Sequence, residues 1–493
     1  MAEPVYSAAQ ALADLAHAGL PATALVEQGG VLVPAGTGAG AGAVPVGGFL
    51  GAGLDSRALA PGVLFVALQG EHADGRTFAP AALAAGHWVL AGLHQGPGLD
   101  PCLDPYLDPL AGAPAAPGTG ALLCPDPVAA LQELARCWRR TMPARVAAVT
   151  GTNGKTTTKD LLAALLRGAG PVHATVGNLN NHLGVPVTLL GLRPEHRFAV
   201  VEMGASAVGE IARLAPLAHP TVGIITNAAP AHLAGFRSLE DIITGKGELV
   251  AALPQGGTAV LNAASPGYAA WRERSRAPVV SFGPGGDHPW GWRPAPDGGG
   301  ILTLDGADWP VPLPGEHNGA NLAAAVLAGR ALGVADADLR RGLQGFTGSP
   351  HRGVRLLLGE RLVLDDAYNA NPRSMAAAVA ALLALPGGGR ALAVLGGMAE
   401  LGPQSDAIHH ESGRELAALG LDELVAVGDL AAPLAAGFDA AGGRAHHCRS
   451  HAEAADLVVR LTAPGDRILV KGSRSAAMEQ VLTRLAARFG TET

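Results

Sequence analysis

VTGTNGKTTTKDLLAALLRG, residues 149–168, joins an apolar strand to an amphipathic stretch through a small-residue turn carrying one lysine. Residues 146–149 supply the strand. Residues 156–166 predict a helix with Leu161, Leu162, Leu165 and Leu166 on one face, and Gly168 falls where a C-terminal cap belongs. The turn itself (Gly151, Thr152, Asn153, Gly154, Lys155, Thr156 and Thr157) has the chemistry of a phosphate cradle. Glycines let backbone N–H groups wrap phosphate oxygens, and the helix start adds its dipole. Lys155 offers a charge to the β- and γ-phosphates, and the Thr156 hydroxyl offers a ligand to Mg2+. The string is GxxGKT rather than the longer GxxxxGKS/T, because Val149 stands where the first glycine would be. An ordinary glycine-rich turn is the plain alternative. The strand before it and the helix after it favour a nucleoside triphosphate.

Outward from this loop, strands and helices alternate. Upstream, 127–140 reads as an amphipathic helix, and 141–144, with Pro143, reads as a linker. Downstream, strands at 198–202 and 222–227 precede helical stretches at 210–217 and 239–253. A turn at 347–351 opens a second alternating series that runs to the helix at 476–489. Such alternation predicts parallel sheets covered by helices. The expected fold is α/β in three domains: a small α/β N-terminal domain (1–142), a central P-loop-type mononucleotide-binding domain (143–346) and a C-terminal Rossmann-like domain (347–493).

Composition agrees with this reading. A chain of 493 residues accommodates about three domains. With 48% apolar and 16% charged residues it can bury large cores, and a net charge of −7 argues against a nucleic-acid partner. The start, MAEPVYSAAQALADL, lacks the basic segment of a secretory signal. Residues 22–54 are poor in charge but broken by Gly and Pro, so no membrane insertion is expected. Cys102, Cys124, Cys137 and Cys448 show no CxxC spacing and fit a reducing, cytoplasmic compartment. No long apolar edge is evident, which suggests a monomer.

A second constellation surrounds the loop in sequence. Glu202 ends the strand of AVVEMGA, where α/β proteins place their chemistry; Asn227 and His232 follow in IITNAAPAHLAGF; Lys246 lies in LEDIITGKGELV. A carboxylate and an imidazole beside a triphosphate suit Mg2+. Each has a plainer reading, as an ion-pair residue, a loop histidine and a solvated helix lysine.

Together these segments resemble the Mur ligases, ATP-dependent amide ligases of peptidoglycan synthesis. TGTNGKTTTK, the strand-end Glu202, the spacing of His232 to Lys246, GEHNGANLAAAVLA at 315–328 and HR at 351–352 carry the likeness. GNLNNHLGVPVT, DDAYNANPRSM, GGMAELG with His409, VKGSRSAAME, and LDSRALAPGVLFVALQGEHADG near the N-terminus point to the branch that adds D-alanyl-D-alanine to UDP-N-acetylmuramoyl-tripeptide through an acyl phosphate.

The resemblance implies specific roles. Ser56 and Arg57 would contact the uridine nucleotide, and Asn178, Asn180 and Asn181 its sugar side. Gly154 to Thr157 would hold ATP phosphates, with Glu202, His232 and a carbamylated Lys246 on Mg2+. Asn321 would meet adenine, with His317 and Asn318 shaping the same helix start; Arg352 would reach phosphate and Asp366 ribose; Tyr368, Asn369 and Asn371 would lie near the incoming dipeptide. Ala367 and Gly397 stand where the family often has Ser and Asp, and SPHRG replaces a PGR-like turn. Three alternatives stay open: another ligase of the same fold (a UDP-MurNAc-tripeptide synthetase or folylpolyglutamate synthase), a P-loop ATPase acting through partners, and a metal module at HHCRSH, 446–451.

Overall fold

The structure is a computed structural model that describes residues 6–35, 47–70, 73–93, 108–230 and 235–490. Three six-stranded sheets organise it, one for each expected α/β domain. In chain order the first region holds β1 (Tyr6–Ser7), β2 (Thr23–Gln28), β3 (Val31–Pro34), β4 (Gly48–Phe49), β5 (Ala52–Gly53), β6 (Leu64–Ala67), β7 (Trp88–Gly92) and β8 (Gly120–Cys124). β1 and β4 form a small antiparallel pair, and the sheet order is β3-β2-β8-β7-β6-β5. β5 to β8 run parallel, and their apolar runs LFVA, WVLAG and GALLC are buried almost throughout, as two covered faces require.

The second sheet contains β9 (Arg145–Thr150), β10 (Val172–Ala174), β11 (Phe198–Glu202), β12 (Val222–Ile225), β13 (Thr258–Asn262) and β14 (Val279–Phe282), in the order β10-β11-β9-β12-β13-β14. An antiparallel meander of β15 (Trp290–Pro294), β16 (Gly300–Leu304) and β17 (Ala307–Val311) follows. The third sheet contains β18 (Val354–Leu358), β19 (Arg361–Asp366), β20 (Ala391–Gly396), β21 (Glu423–Val427), β22 (Ala445–Cys448) and β23 (Arg467–Lys471), ordered β18-β19-β23-β20-β21-β22. β18 is an antiparallel edge; the other five strands are parallel. Met375, Val379, Leu382, Leu416 and Phe438 form the core on one face of this sheet, and Val458, Met478, Val481 and Leu485 on the other. That is the doubly wound, Rossmann-like arrangement expected of the C-terminal domain.

The chain packs into two compact units. One is Met1–Ala148 with Pro171–Met203 and Ala212–Pro220; the other is Val149–Gly170 with Gly204–Ile211 and Thr221–Thr493. In the first, the helix Pro127–Thr141 starts at an Asp126 cap. Its buried Arg139 donates to the carbonyls of Ala218, Met142 and Ala144 at 2.9, 2.9 and 3.0 Å. In the second, the helix Lys155–Arg167 ends at Gly168, but for another reason than a left-handed cap. Gly168 has φ −62°, and an added Cβ would lie 1.9 Å from the Asp338 carbonyl oxygen. Close helix approach, not backbone handedness, selects glycine there. Among the described residues no helix is long and apolar enough to cross a membrane.

Candidate active site

The phosphate loop is a built structure. Gly151 (φ 143°) and Gly154 (φ 80°) take conformations that favour glycine. Added Cβ atoms would lie 2.0 Å from Thr226 Oγ1 and 2.2 Å from Asn321 Oδ1. The segment after β12 clamps the loop from one side. Thr152 N–H donates to Asn227 O (3.0 Å), Asn153 N–H to Asn227 Oδ1 (3.0 Å), and Asn227 Nδ2 to Asn153 O (3.1 Å). Thr226 Oγ1 donates to Asn153 O at 2.6 Å, and Thr152 Oγ1 exchanges bonds with the Ala229 backbone. The first-turn N–H groups of a helix lack intrahelical acceptors, so a clamped loop at this end is a ready anion site. Lys155 Nζ curls over the loop and donates to Gly151 O and Thr152 O at 2.9 and 3.0 Å.

Asn321, on the helix Glu316–Ala331, accepts from Thr158 Oγ1 (3.3 Å) and donates to Asn318 Oδ1 (3.1 Å), and Asn318 donates to Pro314 O (2.8 Å). Both asparagines are buried and brace the loop. Lys246, on the helix Leu239–Ala251, is 2% exposed. Its Nζ donates to Ala205 O at 3.0 Å and lies 5.2 Å from the Phe236 ring centre. Burial, with Lys155 as a second cation nearby, pushes its ammonium down to about 7.

Residues after 347 reach the loop directly. Asn371 pairs with Asn153 through both amides, and Ser349 Oγ donates to Asp160 Oδ2. The Arg352 guanidinium stacks 4.0 Å over the Tyr368 ring. His351 Nδ1 meets Asp365 Oδ2 at 2.9 Å, and burial raises the Asp365 carboxyl. Lys471 Nζ donates to Asp366 Oδ2 (2.5 Å) and Asn369 O (2.8 Å), bracing the end of β19 against the turn that follows it. His409 is fully buried. Its Nε2 accepts from Met398 N–H at 2.8 Å and its Nδ1 meets Ser405 O at 2.8 Å, locking the GGMAE loop to its helix. A cavity of about 250 Å3 opens at the carboxyl ends of β20, β21, β22 and β23, lined by Gly397, Asp429, Arg449, His451, Ser473 and Ser475 among others. A Cβ at Gly397 would lie 2.7 Å from Leu430, so the small residue keeps this space open.

In the other unit, Glu202 is 1% exposed at the end of β11. Its Oε1 accepts from Asn180 Nδ2 at 2.8 Å, and its N–H donates to Thr175 Oγ1 at 3.0 Å. Its Oε2 is buried with no hydrogen-bond partner. Asn181 Oδ1 accepts from the N–H groups of Leu183 and Gly184 at 3.1 and 2.9 Å, while Asn178 is exposed. Arg57 grips Asp55 through Nε (2.8 Å) and a terminal nitrogen (2.7 Å) on the surface, which holds the Asp55 carboxyl down to about 2; Ser56 is half-buried between them. His232 lies outside the described residues.

The HHCRSH side chains diverge. His446 meets Glu423 Oε1, His447 meets Gly428 O, and His451 meets Ala476 O. Among the described residues no group of three or more His, Cys, Asp or Glu is placed to hold a metal. Sequence reasoning missed Thr226 and Lys471; a polar residue ending an apolar strand was the available signal for both.

A Mur ligase middle domain matches residues 149–329, and a Mur ligase glutamate ligase domain matches 354–474. The chain belongs to the Mur ligase family. It is 37% identical to the UDP-N-acetylmuramoyl-tripeptide–D-alanyl-D-alanine ligase of Escherichia coli over 87% of this chain and 92% of that one. It is 33% identical to the enzyme of the same name from Bacillus subtilis, over 88% and 93%. A crystal structure of MurF from Acinetobacter baumannii has a TM-score of 0.76 at 33% identity, covering 88% of this chain and 93% of that one. The MurF ligase of Thermotoga maritima in complex with ADP gives 0.72 at 27% identity, covering 89% and 98%.

Proposed function

We propose that this chain is the ATP-dependent ligase that joins D-alanyl-D-alanine to UDP-N-acetylmuramoyl-tripeptide in peptidoglycan synthesis. The observation that carries this reading is the extent of the likeness: it runs through 87% of the chain rather than through the phosphate loop alone. The tripeptide carboxylate attacks the γ-phosphorus, the bond to the β–γ bridging oxygen breaks, and ADP leaves. The dipeptide amine then attacks the acyl phosphate carbonyl, the C–O bond to phosphate breaks, and the amine proton passes to solvent. No Ser or Cys nucleophile is required; the protein positions groups and offsets charge.

In this reading residues 1–142 hold the uridine nucleotide through Ser56 and Arg57, with Asn178 and Asn181 toward the sugar. Residues 143–346 hold ATP, with Lys155 and the helix start on the phosphates and Asn321 toward adenine. Residues 347–493 supply Arg352 to phosphate, Asp366 to ribose, and Tyr368 and Asn369 to the dipeptide. The stack of Arg352 on Tyr368 and the Lys471 contact to Asp366 hold these side chains in place before substrate arrives. The cavity at the carboxyl ends of β20 to β23, with Arg449 among its lining residues, is where an open α/β sheet accepts a small ligand, and it suits the dipeptide.

Thr156, Glu202, His232 and a carbamylated Lys246 are the donors suited to Mg2+, and the orphaned Glu202 Oε2 fits a hard cation. Bound Mg2+ would neutralise charge on the β- and γ-phosphates. A Lys246 ammonium lowered to about 7 leaves neutral amine available, the form that adds CO2.

The test is phosphate release from ATP with each substrate omitted in turn. Release only with UDP-tripeptide and D-alanyl-D-alanine together, matched by UDP-pentapeptide, is expected. Release with neither peptide would make the protein a plain ATPase. Turnover only with a free diamino acid on a UDP-dipeptide would move it to a neighbouring ligase.

A further inference from the structure

Asn153 and Asn371 stand 218 residues apart in sequence and meet amide to amide. Asn371 Nδ2 donates to Asn153 Oδ1 at 2.6 Å, and Asn153 Nδ2 donates to Asn371 Oδ1 at 3.4 Å. Asn371 Oδ1 also accepts from Ser374 N–H at 2.9 Å, capping the helix Pro372–Ala384, so both polar atoms of its side chain are engaged. The Asn153 backbone is tied elsewhere, to Thr226 and Asn227. Asn153 thus links the segment after β12, through its main chain, to the start of a C-terminal helix, through its side chain. Ser349 on Asp160 ties the same helix of the loop to residues beyond 347 a second time.

We propose that Asn371 is a positioning residue for ATP, acting through Asn153, an inference that rests on the ligase reading above. Asn153 directly precedes Gly154, whose left-handed conformation turns the phosphate-binding loop into the helix Lys155–Arg167. A free asparagine side chain bonds readily to nearby backbone N–H groups. At this place it would compete with phosphate oxygens for the loop's own donors. Holding the amide on Asn371 removes the competitor and fixes the loop in its binding shape before ATP arrives, which lowers the ordering cost of binding. The C-terminal domain therefore shapes the phosphate loop as well as contributing ligands.

Asn371→Ser separates this role from the helix cap. Serine caps well, but it is too short to span the distance to Asn153. Asn153→Ala removes the contact from the other side. Asn371→Ser, which frees the Asn153 amide, is expected to weaken ADP binding and raise the KM for ATP by about 3–10-fold, the worth of one or two hydrogen bonds; Asn153→Ala, which removes the competing amide together with the contact, should weaken it less. The KM for D-alanyl-D-alanine should not move. The double variant should be no worse than the weaker single, because both remove one contact. Unchanged ADP affinity in Asn371→Ser, or effects that multiply in the double variant, would overturn the proposal. A rise in dipeptide KM instead would make Asn371 a substrate contact. ADP binding reads the pair even without ligation, so failure of the wild-type protein to form the pentapeptide would sink the ligase reading and leave this test standing.

Discussion

Asn180 Nδ2 donates to Glu202 Oε1 at 2.8 Å, while the other carboxylate oxygen of Glu202 is buried without a partner. A buried carboxylate half-satisfied in this way is a costly arrangement unless a cation completes it. Asn180 then fixes the rotation of the carboxylate and so aims the free oxygen. With Glu202 as the proposed Mg2+ ligand, Asn180→Ala is expected to lower kcat and shift the Mg2+ requirement upward, together by about 10–100-fold, the usual cost of losing a partner behind a metal ligand. Without Mg2+ the melting temperature should fall as well, because the variant leaves the buried Glu202 carboxylate with no side-chain donor. Ligation rates and Mg2+ titrations equal to wild type would remove Asn180 from this role.

The loop depends on glycine at 154 for two separable reasons. Its φ of 80° disfavours any side chain, and a Cβ would meet Asn321 Oδ1 at 2.2 Å. Alanine costs about 1–2 kcal/mol from the backbone alone. It also displaces an asparagine that braces Thr158 and Asn318. Gly154→Ala should therefore abolish measurable ADP binding by calorimetry while the protein still folds, because the strain is local. Wild-type affinity in this variant would contradict the clamped loop.

Much of this architecture is legible in the sequence, because its signals are local. The helix Pro127–Thr141, its Asp126 cap and the strand–turn–helix around Lys155 follow from spacing within twenty residues. The meander β15 to β17 gives less to read. Its strands WGWRP and ADWPV alternate, but each is only five residues long and carries a proline, and they are held by Trp309 and by pairing with β16. Long-range partners leave no local trace. Asn180 reads as one polar residue among several in GNLNN, and Asn371 as part of NANPR; only folding brings the first to Glu202 and the second to Asn153. The histidines of HHCRSH invite a metal reading for the opposite reason. Alternation along β22 and the turn into the next helix send them to three different partners.

His409 shows how a motif residue can act through structure alone. Its Nε2 accepts from Met398 N–H, which requires the neutral ring, and burial holds its pKa below the usual histidine value. The unfolded chain binds the proton more readily, so stability from this group is complete above about pH 6.5 and falls as pH drops toward the folded-state value. His409→Ala should cost about 1–3 kcal/mol near neutral pH, since it orphans a buried N–H group. It should also flatten the acid limb of a urea-midpoint profile. An unchanged slope between about pH 5 and 7 would show that the loop does not depend on the neutral ring.

Lys246 carries the opposite charge logic to an ordinary helix lysine. At 2% exposure, with Lys155 nearby, its ammonium is pushed down to about 7. Below that value both folded and unfolded chains hold the proton, and the folded chain bears the whole cost of a buried cation. Between about 7 and the ordinary lysine value of about 10.4, only the unfolded chain stays protonated. The unfolded state then binds more protons, so this group's contribution makes stability rise with pH across that window. Lys246→Met removes the buried charge and keeps the bulk. Under CO2-free nitrogen, which prevents carbamate formation, the variant should melt higher than wild type at about pH 6, with the gap narrowing toward about pH 9. It should also lose ligation, because a thioether can neither form a carbamate nor ligate Mg2+ in its place. Parallel melting profiles at every pH would mean that the folded protein keeps Lys246 as an ordinary ammonium, and would remove the physical basis for carbamylation at this position.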